Sequence, residues 1–151
     1  RGNNMALSAD QFYETSDPQT IAFQLTNSQV VFAGALIGID TSTGLAVEWF
    51  DTANFIFAGI ALRGATGDTT ASPVVDVDVN CGGMLLKKSP VTGVTALTNV
   101  GDLVFASDDN TFDVAATSNV AEVGIITRFY SGPTCDVQLF SLAQYHGMTN
   151  S

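Results

Sequence analysis

Residues 34–47, GALIGIDTSTGLAV, and residues 101–114, GDLVFASDDNTFDV, share one order of features: a glycine, a short apolar strand, a polar turn and a second short strand. Strand-forming residues separated by clusters of glycine and small polar residues are typical of β-hairpins. The leading glycines, Gly34 and Gly101, stand 67 positions apart. A chain that repeats a hairpin in this way is expected to build one β unit twice.

The match continues beyond the hairpin. FIFAGIALRGATGD (55–68) matches AEVGIITRFYSGP (121–133), and VVDVDV (74–79) matches TCDVQLF (134–140). The strict alternation in VVDVDV predicts a half-buried strand with its valines inward and its aspartates outward. One such unit leaves sheet edges open, whereas two packed units can close them. We therefore predict an all-β fold, a small β-barrel or sandwich built from two similar β units with an extended N-terminal arm.

These patterns also predict the domain boundaries. Residues 29–141 form the β domain, with repeat units at about 30–80 and 98–141, residues 1–28 are a polar N-terminal arm, and residues 142–151 are a C-terminal tail. Predicted strands lie near residues 30–39, 45–50, 55–63, 73–79, 83–87, 102–106, 112–115, 122–130 and 134–141.

Composition restricts the possible partners. The chain has 151 residues, of which 46% are hydrophobic and 13% charged, which indicates a packed domain. Its net charge of -10 repels phosphate backbones and anionic lipid surfaces. No apolar run approaches the roughly 18 residues that span a bilayer. We expect neither a nucleic acid nor a membrane as partner.

Catalytic and metal-binding patterns are weak. Cys81 and Cys135 form no CxxC pair, and the single histidine, His146, lies in the predicted tail. The acidic stretch SDDNTFD (107–113) has hard oxygen ligands but lacks the glycine and the glutamate of an EF-hand, so a hairpin turn is the simpler interpretation. Asp76 and Asp78 are expected to face solvent. We predict no catalytic residue, no metal and no cofactor, and hence no enzyme.

Two arginines occupy equivalent positions in the two units, Arg63 and Arg128, in a chain with only three arginines. Arginine can form bidentate bonds with a carboxylate. One interpretation is a structural salt bridge in each repeat, and the other is a contact with a subunit or partner.

A carbohydrate-binding or adhesin-like β module, on a virion or a cell surface, is the alternative function. Trp49 and Phe50 in VEWFD could stack on a sugar. Strand alternation, however, predicts that one ring points inward and the other outward, which disfavours a flat two-ring platform.

The order of GALIGIDTSTGLAV, FAGIALRGATGD, VVDVDVNCGGMLL, VGDLVFASDDNTFDV and AEVGIITRFYSGPTCDVQLF resembles the small β-rich capsid decoration, or cement, proteins of tailed bacteriophages. The resemblance covers roughly residues 30–141. It implies a structural virion protein on the outer surface of the phage head, commonly a homotrimer, that binds the major capsid protein and stabilises the capsid.

The predicted arm carries isolated apolar residues that could be buried on a neighbouring subunit: Met5, Leu7, Phe12, Tyr13, Ile21 and Phe23. With Arg63 and Arg128 they are the candidate partner contacts. We expect removal of residues 1–25 to leave a folded domain that binds capsids weakly.

Overall fold

The computed structural model of the chain describes Ala9, residues 19–116, Asn119 and residues 122–149. The predicted contacts Met5, Leu7, Phe12 and Tyr13 lie outside these described residues. The fold is nearly all β, with 48% strand and 6% helix, and its sheets are antiparallel and curled. The predicted fold class is confirmed.

The elements in chain order are β1 (Thr20–Gln24), β2 (Val30–Val31), β3 (Leu36–Asp40), β4 (Ala46–Glu48), β5 (Phe55–Ala61), β6 (Ala65–Thr66), β7 (Asp76–Asn80), β8 (Leu85–Pro90), a 3₁₀ turn (Leu97–Asn99), β9 (Leu103–Ala106), β10 (Phe112–Asp113), β11 (Glu122–Ser131), β12 (Thr134–Leu139) and α1 (Leu142–Thr149). None of the helices in the described part of the chain is long and apolar enough to cross a bilayer.

The first unit is a five-stranded sheet in the order β1-β7-β5-β3-β4, and β2 and β6 form a separate two-stranded ribbon. The sheet curls, because Leu25, just after β1, makes a parallel bridge to Ala46 in β4 at the opposite edge. The Thr26 N–H donates to the Ala46 carbonyl at 2.9 Å. The two edge strands thus approach each other as in a small barrel.

The second unit repeats this topology in the order β8-β12-β11-β9-β10. Its edges are also joined by a parallel bridge, between Thr92 and Asp113. Both bridge partners lie 67 positions after their counterparts, Leu25 and Ala46. The sequence repeat therefore corresponds to two copies of one five-stranded arrangement.

Each unit includes a first strand that the predicted boundaries left outside it. Thr20–Gln24, assigned from sequence to the arm, form β1, which pairs along its whole length with β7. Leu85–Pro90, assigned to the connection between repeats, form β8, which pairs with β12. Both strands close the edge of a sheet whose other members lie far away in sequence.

The repeat extends to single hydrogen bonds. Gly34 and Gly101 have φ of 89° and 95°, a left-handed conformation that glycine adopts without strain. Their N–H groups donate to the carbonyls of Ala61 and Ile126, both at 2.8 Å. These glycines start the hairpin in each unit, which explains why the sequence repeats them.

Two groups of buried side chains form the core. One fills the first unit: Leu25, Val31, Ala35, Ile37, Ala46, Ala58, Ala61, Val77, Val79 and Cys81. The other combines residues of both units with α1: Leu36, Trp49, Phe57, Ile60, Val91, Val94, Val104, Ala106, Val123, Ile126, Cys135, Val137, Leu139 and Tyr145. The second group makes the two units one body.

Trp49 lies at the junction of the units and is 1% exposed. Its indole N–H donates to the Ala106 carbonyl of β9 at 3.0 Å. Its ring meets Phe57 edge-on, with centroids 5.5 Å apart. Gly38 provides the room, since a Cβ there would lie 2.9 Å from the indole ring.

The predicted C-terminal tail contains α1. The Ser141 Oγ accepts the Gln144 N–H at 3.1 Å, and the Gln144 Oε1 accepts the Ser141 N–H at 2.8 Å, which is a capping box. The Tyr145 ring is buried against Trp49, with centroids 6.1 Å apart. The helix thereby covers the junction.

Candidate interaction surface

The sheet of the second unit holds Asp136, the one fully buried charged residue in the described part of the chain. Asp136 lies in β12 and is 3% exposed. The strands on either side of β12 are β8 and β11, and they carry the polar groups that surround its carboxylate. Its Oδ1 accepts the Lys88 N–H at 2.9 Å, and its Oδ2 accepts the Tyr130 hydroxyl at 3.0 Å. The Lys87 Nζ lies 3.6 Å from Oδ2. The carboxylate therefore joins three strands.

The environment of Asp136 favours its charged form. Burial alone disfavours ionisation, but the hydrogen bonds from Lys88 and Tyr130 and the positive charge of Lys87 outweigh it and hold the pKa below its ordinary value. Buried charges in proteins are normally paired in this way.

Two further cations flank Tyr130. The Lys88 Nζ and the Arg128 guanidinium each lie 5.4 Å from the centroid of its ring, within cation–π range. All three cationic side chains of this cluster are exposed. We define the basic patch as Lys87, Lys88, Arg128, Tyr130 and Asp136.

The first unit carries a different surface on the corresponding strands, with β7 in the position that β12 has in the second unit. In β7, Val77 and Val79 are buried, while Asp76 and Asp78 point to the other side, as the alternation predicts. The Arg63 Nε lies 3.3 Å from the Asp78 Oδ2, with 74% of the arginine side chain exposed. We define the acidic face as Asp76, Asp78, Arg63 and the outward residues Ala22 and Gln24, which pair with the aspartates.

The two arginines singled out from the sequence thus differ in their surroundings. Arg63 forms an ion pair with Asp78, which agrees with the structural interpretation. Arg128 lies opposite Asp136 in the strand register but stacks against Tyr130, and the buried carboxylate bonds to Lys87, Lys88 and Tyr130 instead.

Ile21 and Phe23 point inward from β1. Both are half-buried and pack against the core of the first unit. Their apolar side chains are therefore explained by contacts within the chain, which is why this segment is a strand and not a free arm.

Apolar side chains are exposed on equivalent segments of the two units, residues 30–32, which include β2, and residues 97–100, which include the 3₁₀ turn. Val30 and Leu97, 67 positions apart, are 45% and 70% exposed, and Phe32 is 71% exposed. The same backbone turn follows in each unit. The Ala35 N–H donates to the Phe32 carbonyl, and the Asp102 N–H donates to the Asn99 carbonyl. Sequence analysis missed these residues, although the 67-residue offset relates them.

The other candidates have structural explanations. Asp108 and Asn110 form a hairpin turn in which the Asp108 carboxylate accepts the Asn110 N–H at 3.0 Å. These hydrogen bonds lower the pKa of Asp108 against the opposing effect of burial. No group of three His, Cys, Asp or Glu residues suited to a metal ion occurs within the described ranges.

The possible sugar platform is not assembled. Trp49 is buried, whereas Phe50 is 51% exposed and packs against Phe55. An open cleft of about 400 Å³ lies in the second unit and is lined by Pro90, Thr92, Gly93, Asn110, Thr111, Phe112 and Pro133. Its single aromatic ring, Phe112, is half-buried.

A carboxyl pair lies where the units meet. The carboxylate of Glu48, at the end of β4, faces Asp109 of the second hairpin, and the Gln29 Nε2 donates to its Oε1 at 2.7 Å. Partial burial, followed by the hydrogen bond and the charge of Asp109, raises the pKa of Glu48. The two carboxylates repel each other when both are charged, so protonation of Glu48 at low pH removes an unfavourable interaction at this junction.

Comparison with known proteins identifies no family for this chain. No protein-family model matches the chain, and no curated protein matches it.

Proposed function

We propose that the protein is a structural virion protein, a capsid decoration protein that binds the outer surface of a phage head. The observation that carries this proposal is the repeated exposure of apolar side chains: Val30 and Phe32 in the first unit, Leu97 and Val100 in the second. Exposed apolar patches mark sites of protein–protein contact.

Two exposed apolar segments at corresponding places in the two units, aligned at Val30 and Leu97, suit a partner that is itself repetitive. When two weak contacts are linked rigidly, the second forms at high effective concentration, so overall binding exceeds that of either contact. A capsid surface offers many identical sites for such binding. The acidic net charge of -10 also keeps a protein soluble at high surface density.

The test is binding of the purified protein to heads of the encoding phage that lack their decoration protein. We expect saturable co-sedimentation, and we expect Phe32→Ser and Leu97→Ser each to weaken it about tenfold or more, with the double variant weaker still. Phe50→Ser is the matched control, because Phe50 is also an exposed ring but lies outside residues 30–32 and 97–100. No saturable binding by the wild-type protein, or equal loss in the control, would refute the proposal.

The carbohydrate-binding alternative predicts a different result. It requires a sugar to contact Phe50 or the cleft beside Phe112, so a glycan array with wild-type protein and Phe50→Ser separates the two functions. Glycan binding that depends on Phe50, without binding to heads, would favour the alternative.

A further inference from the structure

Positive charge is concentrated at one place on this acidic chain. The described residues include four of its five cations, and three of them, Lys87, Lys88 and Arg128, belong to the basic patch. The patch holds these three positive groups against one buried carboxylate. The acidic face holds two carboxylates, Asp76 and Asp78, against one arginine.

The two oppositely charged surfaces occupy corresponding positions in the repeat. The basic patch lies on β8, β12 and β11, and the acidic face lies on β1 and β7 and just after β5, which are the corresponding strands of the first unit. Their backbone arrangement is therefore similar while their charge is reversed. The charges of the two surfaces are therefore complementary between two copies of one chain.

The basic patch is also preorganised. Lys88 adopts a φ of 53°, which is uncommon for a residue with a Cβ, and its N–H is held by the Asp136 carboxylate. A strained backbone fixed by a buried charge is a feature often found at functional sites. Tyr130 is fixed by the same carboxylate, so its ring loses little freedom when a partner binds.

We propose that the basic patch of one copy binds the acidic face of a second copy. Because the contact joins two different surfaces, it is heterologous, and each copy keeps one patch and one face free for the next. Repetition of this contact produces a closed ring or a chain of copies. The proposal concerns self-association and does not depend on capsid binding.

The first experiment measures self-association of the full chain by sedimentation velocity over a range of protein concentrations. Contacts between exposed charges weaken as the Debye length falls from about 30 Å at about 0.01 M salt to about 3 Å at about 1 M salt. At about 0.1 M salt the Debye length of about 10 Å screens the repulsion between two copies of net charge -10 but not the charge contacts within the interface, so we expect association there and its loss at about 1 M salt. A protein that stays monomeric at about 0.1 M salt at every concentration overturns the proposal.

Charge reversals identify the surfaces. Arg128→Glu should weaken association about tenfold or more, because it places a carboxylate in the contact. Arg63→Glu is the matched control: it is the same substitution at the equivalent position, with the same change in net charge, but it makes the acidic face more acidic. We expect it to leave association unchanged or strengthen it, and circular dichroism verifies that both variants are folded.

A compensating variant completes the test. Asp76→Arg alone should weaken association, whereas Arg128→Glu together with Asp76→Arg restores opposite charges and the original net charge. Equal weakening by Arg63→Glu and Arg128→Glu, or no recovery in the double variant, would show that net charge or another surface controls association. If the wild type does not self-associate but binds duplex DNA, and Arg128→Glu loses this binding, the patch is assigned to a polyanion instead.

Discussion

Replacement of Trp49 by Phe should destabilise the whole protein, because this side chain links the two units. The substitution removes the indole N–H and leaves the buried Ala106 carbonyl without that donor, at a cost of about 1–3 kcal/mol. The smaller ring also leaves space among Phe57, Tyr145 and Gly38, and each lost methylene-sized volume costs about 1 kcal/mol. We expect the free energy of unfolding to fall by about 2–4 kcal/mol.

Urea denaturation followed by far-UV circular dichroism measures this change, because the variant lacks the only tryptophan of the chain. The midpoint should fall while the slope stays constant, which indicates that both proteins unfold as one body. Phe50→Leu is the adjacent control and should cost about 1 kcal/mol or less, since Phe50 is half exposed. A loss below about 1 kcal/mol for Trp49→Phe, or two separate transitions in the wild type, would refute the view that Trp49 joins the units.

Three further predictions test the remaining structure. Removal of residues 1–25 deletes β1 and the fully buried Leu25, so the urea midpoint should lie well below that of a chain shortened only by residues 1–18; equal midpoints would contradict the strand's role. Glu48→Gln should be more stable than the wild type at pH 7 and equally stable near pH 4. The pKa of Glu48 is raised, so its charged form opposes folding above that pKa, and protonation removes the difference between the two proteins. A constant difference in the free energy of urea unfolding between pH 4 and pH 7 would contradict this. Cys81 and Cys135 should react slowly with a thiol reagent in the native protein and fully in denaturant, because burial raises the pKa of both, that of Cys81 to about 11; rapid native labelling would contradict their burial.

Local patterns predicted much of the fold. The glycines that begin the hairpins, the Asp turns and the alternating valines of β7 are all determined by neighbours within a few residues, and each lies where the sequence places it. The inward Trp49 beside an outward Phe50 follows from the same alternation. The repeat in the sequence predicted further that these hairpins and strands form one β unit that occurs twice.

The two first strands were harder to recognise because their partners are distant in sequence. TIAFQ in β1 alternates between exposed and half-buried residues, but polar residues before and after it suggest an arm. Only the pairing with β7, more than fifty residues later, shows that its apolar side chains enter the core. The helix α1 did have a local signal, since Ser141 and Gln144 have the spacing of a capping box.

The basic patch shows why corresponding strands in a repeat need not have corresponding surfaces. In β7 the register is regular and both aspartates point outward, whereas the pairing of β12 with β8 shifts between Cys135 and Val137. Asp136 lies at this irregularity, where its carboxylate is covered and takes the Lys88 N–H as a partner. A bulge re-aims side chains without changing the order of strands. A second irregularity, between Ile126 and Arg128 in the pairing of β11 with β12, lies beside the first. These irregularities surround the basic patch of the second unit, whereas β7 of the first unit keeps a regular alternation and an acidic face, so one strand arrangement presents two distinct surfaces.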